Sequence, residues 1–411
     1  MSRPGQPERS ATYAEVFAVA EFRWSWVALV GSVVGDQLAR VALAVLVFDR
    51  TGSAGLSALT YALTLLPDVI SGPLLGGLAD RLPRRQLMVS CDAARAVLVA
   101  CMAIPGIPLW ILCVLLVAVQ MFAGPFQSAR SAFLATMLTG DIYRAAVGLS
   151  SVTAQSAQLA GFVLGGTIVA TLGPSQALAL NALSFAASAV LLRLGLRERP
   201  IALGEDPAAR PSWWGSLVAG ARLVWNNRKL RYLLALCCVP GFYITVEGLA
   251  TPYAASIGGG AIAAGILFAA NPAGQVVGIL LTSRIAPAKR MSMMGTLAIG
   301  TCAVLIACVF EPGLWVTVGL WGLSGMCASF MPLAQATFVQ EIPDAQRGQV
   351  IGLARTALVV SQGMGILVAG VAADHWKPAM VVAGAGVLGV VYAAGAARGY
   401  RRACKAEGID A

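Results

Sequence analysis

Four ionisable side chains lie inside stretches otherwise too apolar to solvate them. Asp36 and Arg40 fall within residues 24–47, Asp68 within 55–79 and Glu247 within 232–256. A charge at bilayer depth is expensive, and it persists where it faces a cavity or a partner. Such a carboxylate can gain and lose a proton as access to it alternates, and it can also hold a cationic ligand. Where both events use one site, they compete, which is the simplest way to couple them. Arg40 stands at the i,i+4 position from Asp36, a spacing that equally permits a static ion pair fixing helix packing. Gln37, Tyr61, Phe126, Gln155, Phe242, Tyr243, Asn271 and Gln275 are candidates to line a cavity beside these charges, with part of the set expected to face lipid or core.

Those side chains must be carried by membrane-spanning helices. The chain has 411 residues, of which 58% are hydrophobic and only 12% charged, against about 25% charged in soluble domains. Soluble enzymes, secreted disulfide scaffolds and disordered chains are excluded. Apolar stretches of about 20 residues predict twelve spans, at 24–47, 55–79, 86–106, 109–134, 146–171, 174–196, 232–256, 261–283, 292–311, 314–340, 349–373 and 376–397. Of the 29 Lys and Arg, all but Arg40, Arg50 and Lys377 fall at the ends or loops that share a side with the N-terminus. The positive-inside rule then places both termini in the cytoplasm. Pro67, Pro73, Pro240, Pro252 and Pro272 are expected to break the second, seventh and eighth spans and allow them to bend.

Other chemistry is poorly served. The nine cysteines show no metal-ligand spacing, and all but Cys404 sit in apolar segments, where they read as small apolar residues. His375 is the only histidine, so neither a metal site nor a cofactor is expected and a membrane-embedded enzyme is a poor fit. The net charge of +10 is spread over short interhelical clusters rather than one basic face, which argues against nucleic acid. The polar segment 1–21, with Glu8, Glu15 and Glu21, does not resemble a cleavable signal peptide.

The chain divides into an N-terminal segment (1–21), a six-span half (22–199), a linker (200–230), a second half (231–398) and a tail (399–411). In the linker Trp214, Leu217, Val218, Ala221, Val224 and Trp225 recur at helical spacing, which predicts an amphipathic helix on the inner membrane face. Gly148, Gly161 and Gly166 recur at one constant offset as Gly352, Gly365 and Gly370. A duplication whose halves start on the same side predicts an all-α protein of two parallel, pseudo-symmetric six-helix bundles. A ligand site would lie between them near the midplane.

Between the second and third spans runs Gly76-Gly-Leu-Ala-Asp80-Arg81-Leu-Pro83-Arg84-Arg85. A glycine at a helix end permits close packing, and Asp80 facing the arginines makes a candidate conformational latch, with Asp92 and Arg95 nearby. This stretch resembles the signature loop of the major facilitator superfamily, departing from it at Pro83, where the family has glycine. In the fifth span Gly148, Ala157, Gly161, Phe162 and Gly165 resemble the packing face of the family's antiporters. Ala157 there replaces a glycine, and Phe162 replaces the proline that would kink the helix. Gly31 to Asp36, Phe48 to Ser53, Gly72-Pro73 and Arg347-Gly348 further resemble the bacterial exporters of drugs, macrolides and siderophores.

That resemblance implies a transporter of the bacterial inner membrane. It would move a hydrophobic or amphiphilic small molecule outward by alternating access, with protons as coupling ion, acting as a monomer in the lipid bilayer without a cofactor. The alternative on the same fold is an importer or uniporter of a small polar nutrient, which calls for a more polar pocket.

Overall fold

The computed structural model describes residues 13–75, 78, 82–199, 213–342 and 347–406. Among these residues every regular element is a helix. Eleven helical segments are long and apolar enough to cross a membrane. Arg84–Met102 takes the remaining place in the series, and Arg84, Arg85, Asp92 and Arg95 lower its apolarity. The twelve-span expectation therefore matches the described helices in order.

Span one is Ala20–Thr51, and span two combines Ala54–Leu63 with Leu66–Leu75. Span three is Arg84–Met102. Span four combines Leu109–Met121 with Ala123–Met137, span five is Gly140–Leu172 and span six Pro174–Gly195. A connecting helix, Trp213–Asn226, follows. Span seven is a chain of short helices, Arg228–Cys237, Pro240–Tyr243, Thr245–Gly248 and Ala250–Ser256. Span eight is Ala261–Ser283. Span nine is Pro287–Ala303 continued by a 3-10 turn to Phe310. Span ten combines Leu314–Cys327 with Phe330–Gln340. Spans eleven and twelve are Arg347–Ala373 and Pro378–Ala406.

The breaks follow local chemistry. Gly52 takes a left-handed φ of 65° and donates its N–H to the Phe48 carbonyl at 2.7 Å, stopping span one. Ser53 then caps span two by accepting from the Leu56 N–H at 3.1 Å. Pro240 opens a new helical turn in span seven, consistent with its missing N–H. Span eight differs from expectation, running unbroken through Pro272. Span ten supports it closely there: Gly325 has no side chain, so it packs directly on the Asn271 carbonyl.

The same helix pairings recur in both halves. Span one packs on six as seven packs on twelve, three on six as nine on twelve, and two on four as eight on ten. The halves meet through span five against eight and two against eleven. The connecting helix lies against span eleven. Its Val224 is buried while Val218 and Trp225 are exposed; the side chains of Trp214 and Leu217 lie outside the described residues.

Twelve spans in alternating directions bring Tyr13 and Ala406, the first and last described residues, to one face (the termini face), and the opposite one is the far face. On the far face the halves are tightly joined. A Cβ added at Gly166 of span five would lie 2.7 Å from the Ala261 carbonyl oxygen and 2.9 Å from the Gly265 Cα of span eight. The Asp374 carboxylate, after span eleven, accepts from the Ser53 hydroxyl and the Gly55 N–H of span two, each at 3.1 Å. On the termini face, among the described residues, the corresponding halves of spans four and ten form no extensive packing against each other.

Candidate functional site

A polar cavity of about 200 Å³ sits between the halves. From the N-terminal half, Arg40, Tyr61, Leu65, Gln155 and Gln158 line it; from the other, Tyr243, Ile244, Glu247, Asn271, Pro272, Gln275 and Gln362. Broken span seven supplies Glu247, which is 6% exposed. The Tyr61 hydroxyl of span two donates to Glu247 Oε2, joining the halves through a buried hydrogen bond. The Arg40 guanidinium lies 5.8 Å from the centre of the Tyr61 ring, and Arg40 lines both this cavity with Glu247 and the neighbouring cleft with Asp36. The Asn271 amide nitrogen is buried without a protein partner.

Aromatic rings close the cavity toward the far face. Phe268 of span eight stacks on Tyr61 at 5.6 Å and on Phe162 of span five at 5.4 Å. Phe162, which stands where the antiporter pattern has proline, is fully buried. Gly161 and Gly165 beside it let span five close on span one, against Val34, Gln37 and Val41. Ala157 is buried on that side, whereas Gly148 faces open space. On the termini face Gln155 is exposed.

The predicted residues thus divide. Arg40, Glu247, Tyr61, Gln155, Tyr243, Asn271 and Gln275 converge on the cavity. Asp36 lies beside it, lining a cleft of about 20 Å³ that shares Arg40 and includes Thr64, Gln120 and Asn181. Asp68 lies elsewhere, in an ion pair at 2.7 Å with Arg355 of span eleven. Gln37 is buried against span five with its amide oxygen unpartnered. Phe126 packs under Arg95, and Phe242 packs on Tyr392 at 5.1 Å.

Of the signature loop, Gly76, Asp80 and Arg81 lie outside the described residues. Its other members serve the N-terminal half. Arg84 donates to the Ala132 carbonyl at 2.9 Å, and Arg85 to the Arg193 carbonyl. Asp92 is fully buried, accepts from Ser188 at 2.6 Å and faces Arg95 at 3.7 Å.

Sequence reasoning missed Gln158, Gln362, Arg355 and Asp374. Gln158 follows Gln155 by three residues, a helical spacing that was a usable signal. Asp374 carried none, because its partners stand at the start of a helix in the other half.

The comparisons with known proteins agree with this architecture. The family model of the Major Facilitator Superfamily matches residues 25–307 and 248–403. The chain belongs to the major facilitator superfamily. It is therefore a multi-pass membrane transporter, moving solutes rather than belonging to an enzyme family. Multidrug efflux pump Tap of Mycobacterium tuberculosis (strain ATCC 25618 / H37Rv) is 26% identical over 361 residues, covering 83% of this chain and 84% of its own. The MFS-type transporter YfiS of Bacillus subtilis (strain 168) is 26% identical over 322 residues, covering 75% and 76%. Among solved structures, a bacterial homologue of the lysosomal transporter Spinster superposes with a TM-score of 0.69 at 16% identity, covering 94% and 97%. The nucleoside transporter NupG gives 0.71 at 14%, covering 92% and 99%.

Proposed function

We propose that this transporter exports a small molecule across the bacterial inner membrane in exchange for protons, with both termini cytoplasmic. The observation that carries the reading is Glu247: a buried carboxylate at the joint between the halves, bonded to Tyr61 and facing Arg40 in a polar cavity. Its proton occupancy and its partner choice would change together as the halves move. Efflux follows the likeness to Tap. In this state the cavity would open to the cytoplasm, the side that loads an exporter. Asp36, coupled to the cavity through Arg40, would serve as a second proton station, and Asp80 with its arginines would latch the cytoplasmic face in the opposite state.

The cavity's lining favours one part of the alternative reading. Four glutamines and an asparagine are among its twelve lining residues, and such a surface reads hydrogen-bonding groups. The part of the substrate seated there would be polar, whatever the direction of travel.

The test uses everted membrane vesicles with an inside-acid gradient and a pH-reporting dye. A panel of macrolides, lipophilic cations and siderophores is added to vesicles carrying the protein or Glu247→Gln. A compound that collapses the gradient only through the unaltered protein supports the proposal. Equal proton release through Glu247→Gln would remove Glu247 from the coupling.

A further inference from the structure

A second cavity, of about 700 Å³, lies on the other side of span seven, between it and spans eleven and twelve. It runs from Cys238 and Tyr392 near mid-span to Trp376 at the far face. Unlike the polar cavity it is lined mainly by apolar side chains, with Tyr392 and Trp376 bringing polar tips at its two ends. The hydroxyls of Thr245 and Ser361 are turned onto their own helices, at 2.8 Å from the Phe242 and Leu358 carbonyls. Its floor is made of small residues such as Gly365, Ala369 and Gly384, and its rim of Met364, Val368 and Leu388, all more than half exposed. A concave, apolar, membrane-depth groove of this size is within the range that holds small ligands, ~300–1,000 Å³.

Only one helix wall separates the two cavities. Gly241, Phe242 and Thr245 of span seven face the groove, while Tyr243, Ile244 and Glu247 face the polar cavity. On span eleven Ser361 and Gly365 face the groove and Gln362 the cavity. The wall closes where two backbones touch without side chains between them. A Cβ at Gly241 would lie 2.8 Å from the Ser361 carbonyl oxygen, and one at Gly365 would collide with the Gly241 carbonyl oxygen. The span seven side of this seam is its most interrupted stretch, two four-residue helices after Pro240.

We infer that the groove receives the apolar chain of an exported amphiphile, and that the seam between spans seven and eleven is a lateral exit. The polar head loads into the 200 Å³ cavity from the termini face. The cavity is smaller than the drug-sized range, and so seats a head rather than a whole drug. As the seam parts, the chain lies in the groove and the molecule leaves sideways into the far half of the bilayer. The groove adjoins the loading cavity across a single wall whose seam holds no side chains, and this argues for the transported molecule itself over a surrounding lipid. This rests on the export reading for its direction, but not on proton coupling.

Trp376 at the groove mouth makes occupancy measurable. A zwitterionic amphiphile with a bromododecyl chain, added to the protein in lipid nanodiscs, should quench tryptophan fluorescence saturably. The quenching should shrink in Trp376→Phe and in Gly384→Phe, which fills the groove at a position where a Cβ meets nothing within 4 Å. Val368→Phe fills it from the other wall should Gly384→Phe fold poorly. Quenching unchanged in these variants overturns the site. So does quenching by brominated bilayer phospholipid that the unbrominated amphiphile cannot displace.

The gate is tested with Ser361→Cys, which would set a thiol beside Cys238 at the seam, both positions lining the groove. Oxidation should stop efflux of the amphiphile from loaded proteoliposomes, and reductant should restore it. Unchanged efflux after verified cross-linking refutes the lateral exit. Absence of coupled proton movement, with quenching and cross-link sensitivity intact, would count against the antiport reading alone.

Discussion

Asp374 closes the far face by an unusual device: it caps a helix that belongs to the other half. Its carboxylate accepts from Ser53 and from the Gly55 N–H, at the N-terminus of span two. A carboxylate at a helix N-terminus contributes ~0.3–1 kcal/mol at an exposed site, and a capping hydrogen bond adds about 1 kcal/mol. Asp374→Ala should therefore destabilise the far-closed state by about 1–2 kcal/mol, a 5–30-fold change in the ratio of far-closed to far-open molecules. Spin labels at Ile104 and Phe310, exposed far-face positions on opposite halves, report that ratio as a distance distribution in a cysteine-free background. The long-distance population should grow in Asp374→Ala, and in Ser53→Ala by a comparable amount. The double variant should fall short of the sum of the two, since both remove one interaction. Gly55→Ala is an independent push the same way, its Cβ being placed 2.5 Å from Asp374 Oδ2. An unchanged distribution in Asp374→Ala, or strict additivity with Ser53→Ala, would refute the cap as a gate.

Other consequences are direct. Tyr61→Phe leaves a buried Glu247 oxygen without its donor, an expected loss of about 1–3 kcal/mol, read as a lower midpoint of thermal unfolding; an unchanged midpoint would show that the bond does not hold the halves. Gly166→Val should force spans five and eight apart at their 2.7 Å approach and enlarge the far-open population in the same spin-label assay. Phe162→Ala empties a fully buried site in the aromatic seal, at an expected cost of ~3–5 kcal/mol in stability, checked by thermal unfolding. Asp68→Asn removes a partly exposed ion pair with Arg355, worth at most about 1 kcal/mol. Coupled proton flux should survive it, and loss of coupling would return Asp68 to the proton pathway.

How much of this was readable from sequence follows from what each residue answers to. Spans are dictated by the bilayer, so length and apolarity located them, and Glu247 and Arg40 betrayed the cavity because charge at that depth demands a reason. Asp68 looked the same by depth, yet it pairs with Arg355, which lies on a different helix and could not be matched to it without the fold. The glycine and aromatic pattern of span five was visible, but its meaning was not. Phe162 interrupts a family packing pattern, and it does so because its ring meets Phe268 across the joint. The same holds for span seven: its prolines announced a break, while only the arrangement of spans eleven and twelve around it turns that break into a thin wall between a polar and an apolar cavity. A transporter that must move a polar head past apolar lipid needs such a wall to be weak. Glycine on both of its sides, at Gly241 and Gly365, provides close contact without interlocking side chains, so the seam can be tight when closed and still part without unpacking a core.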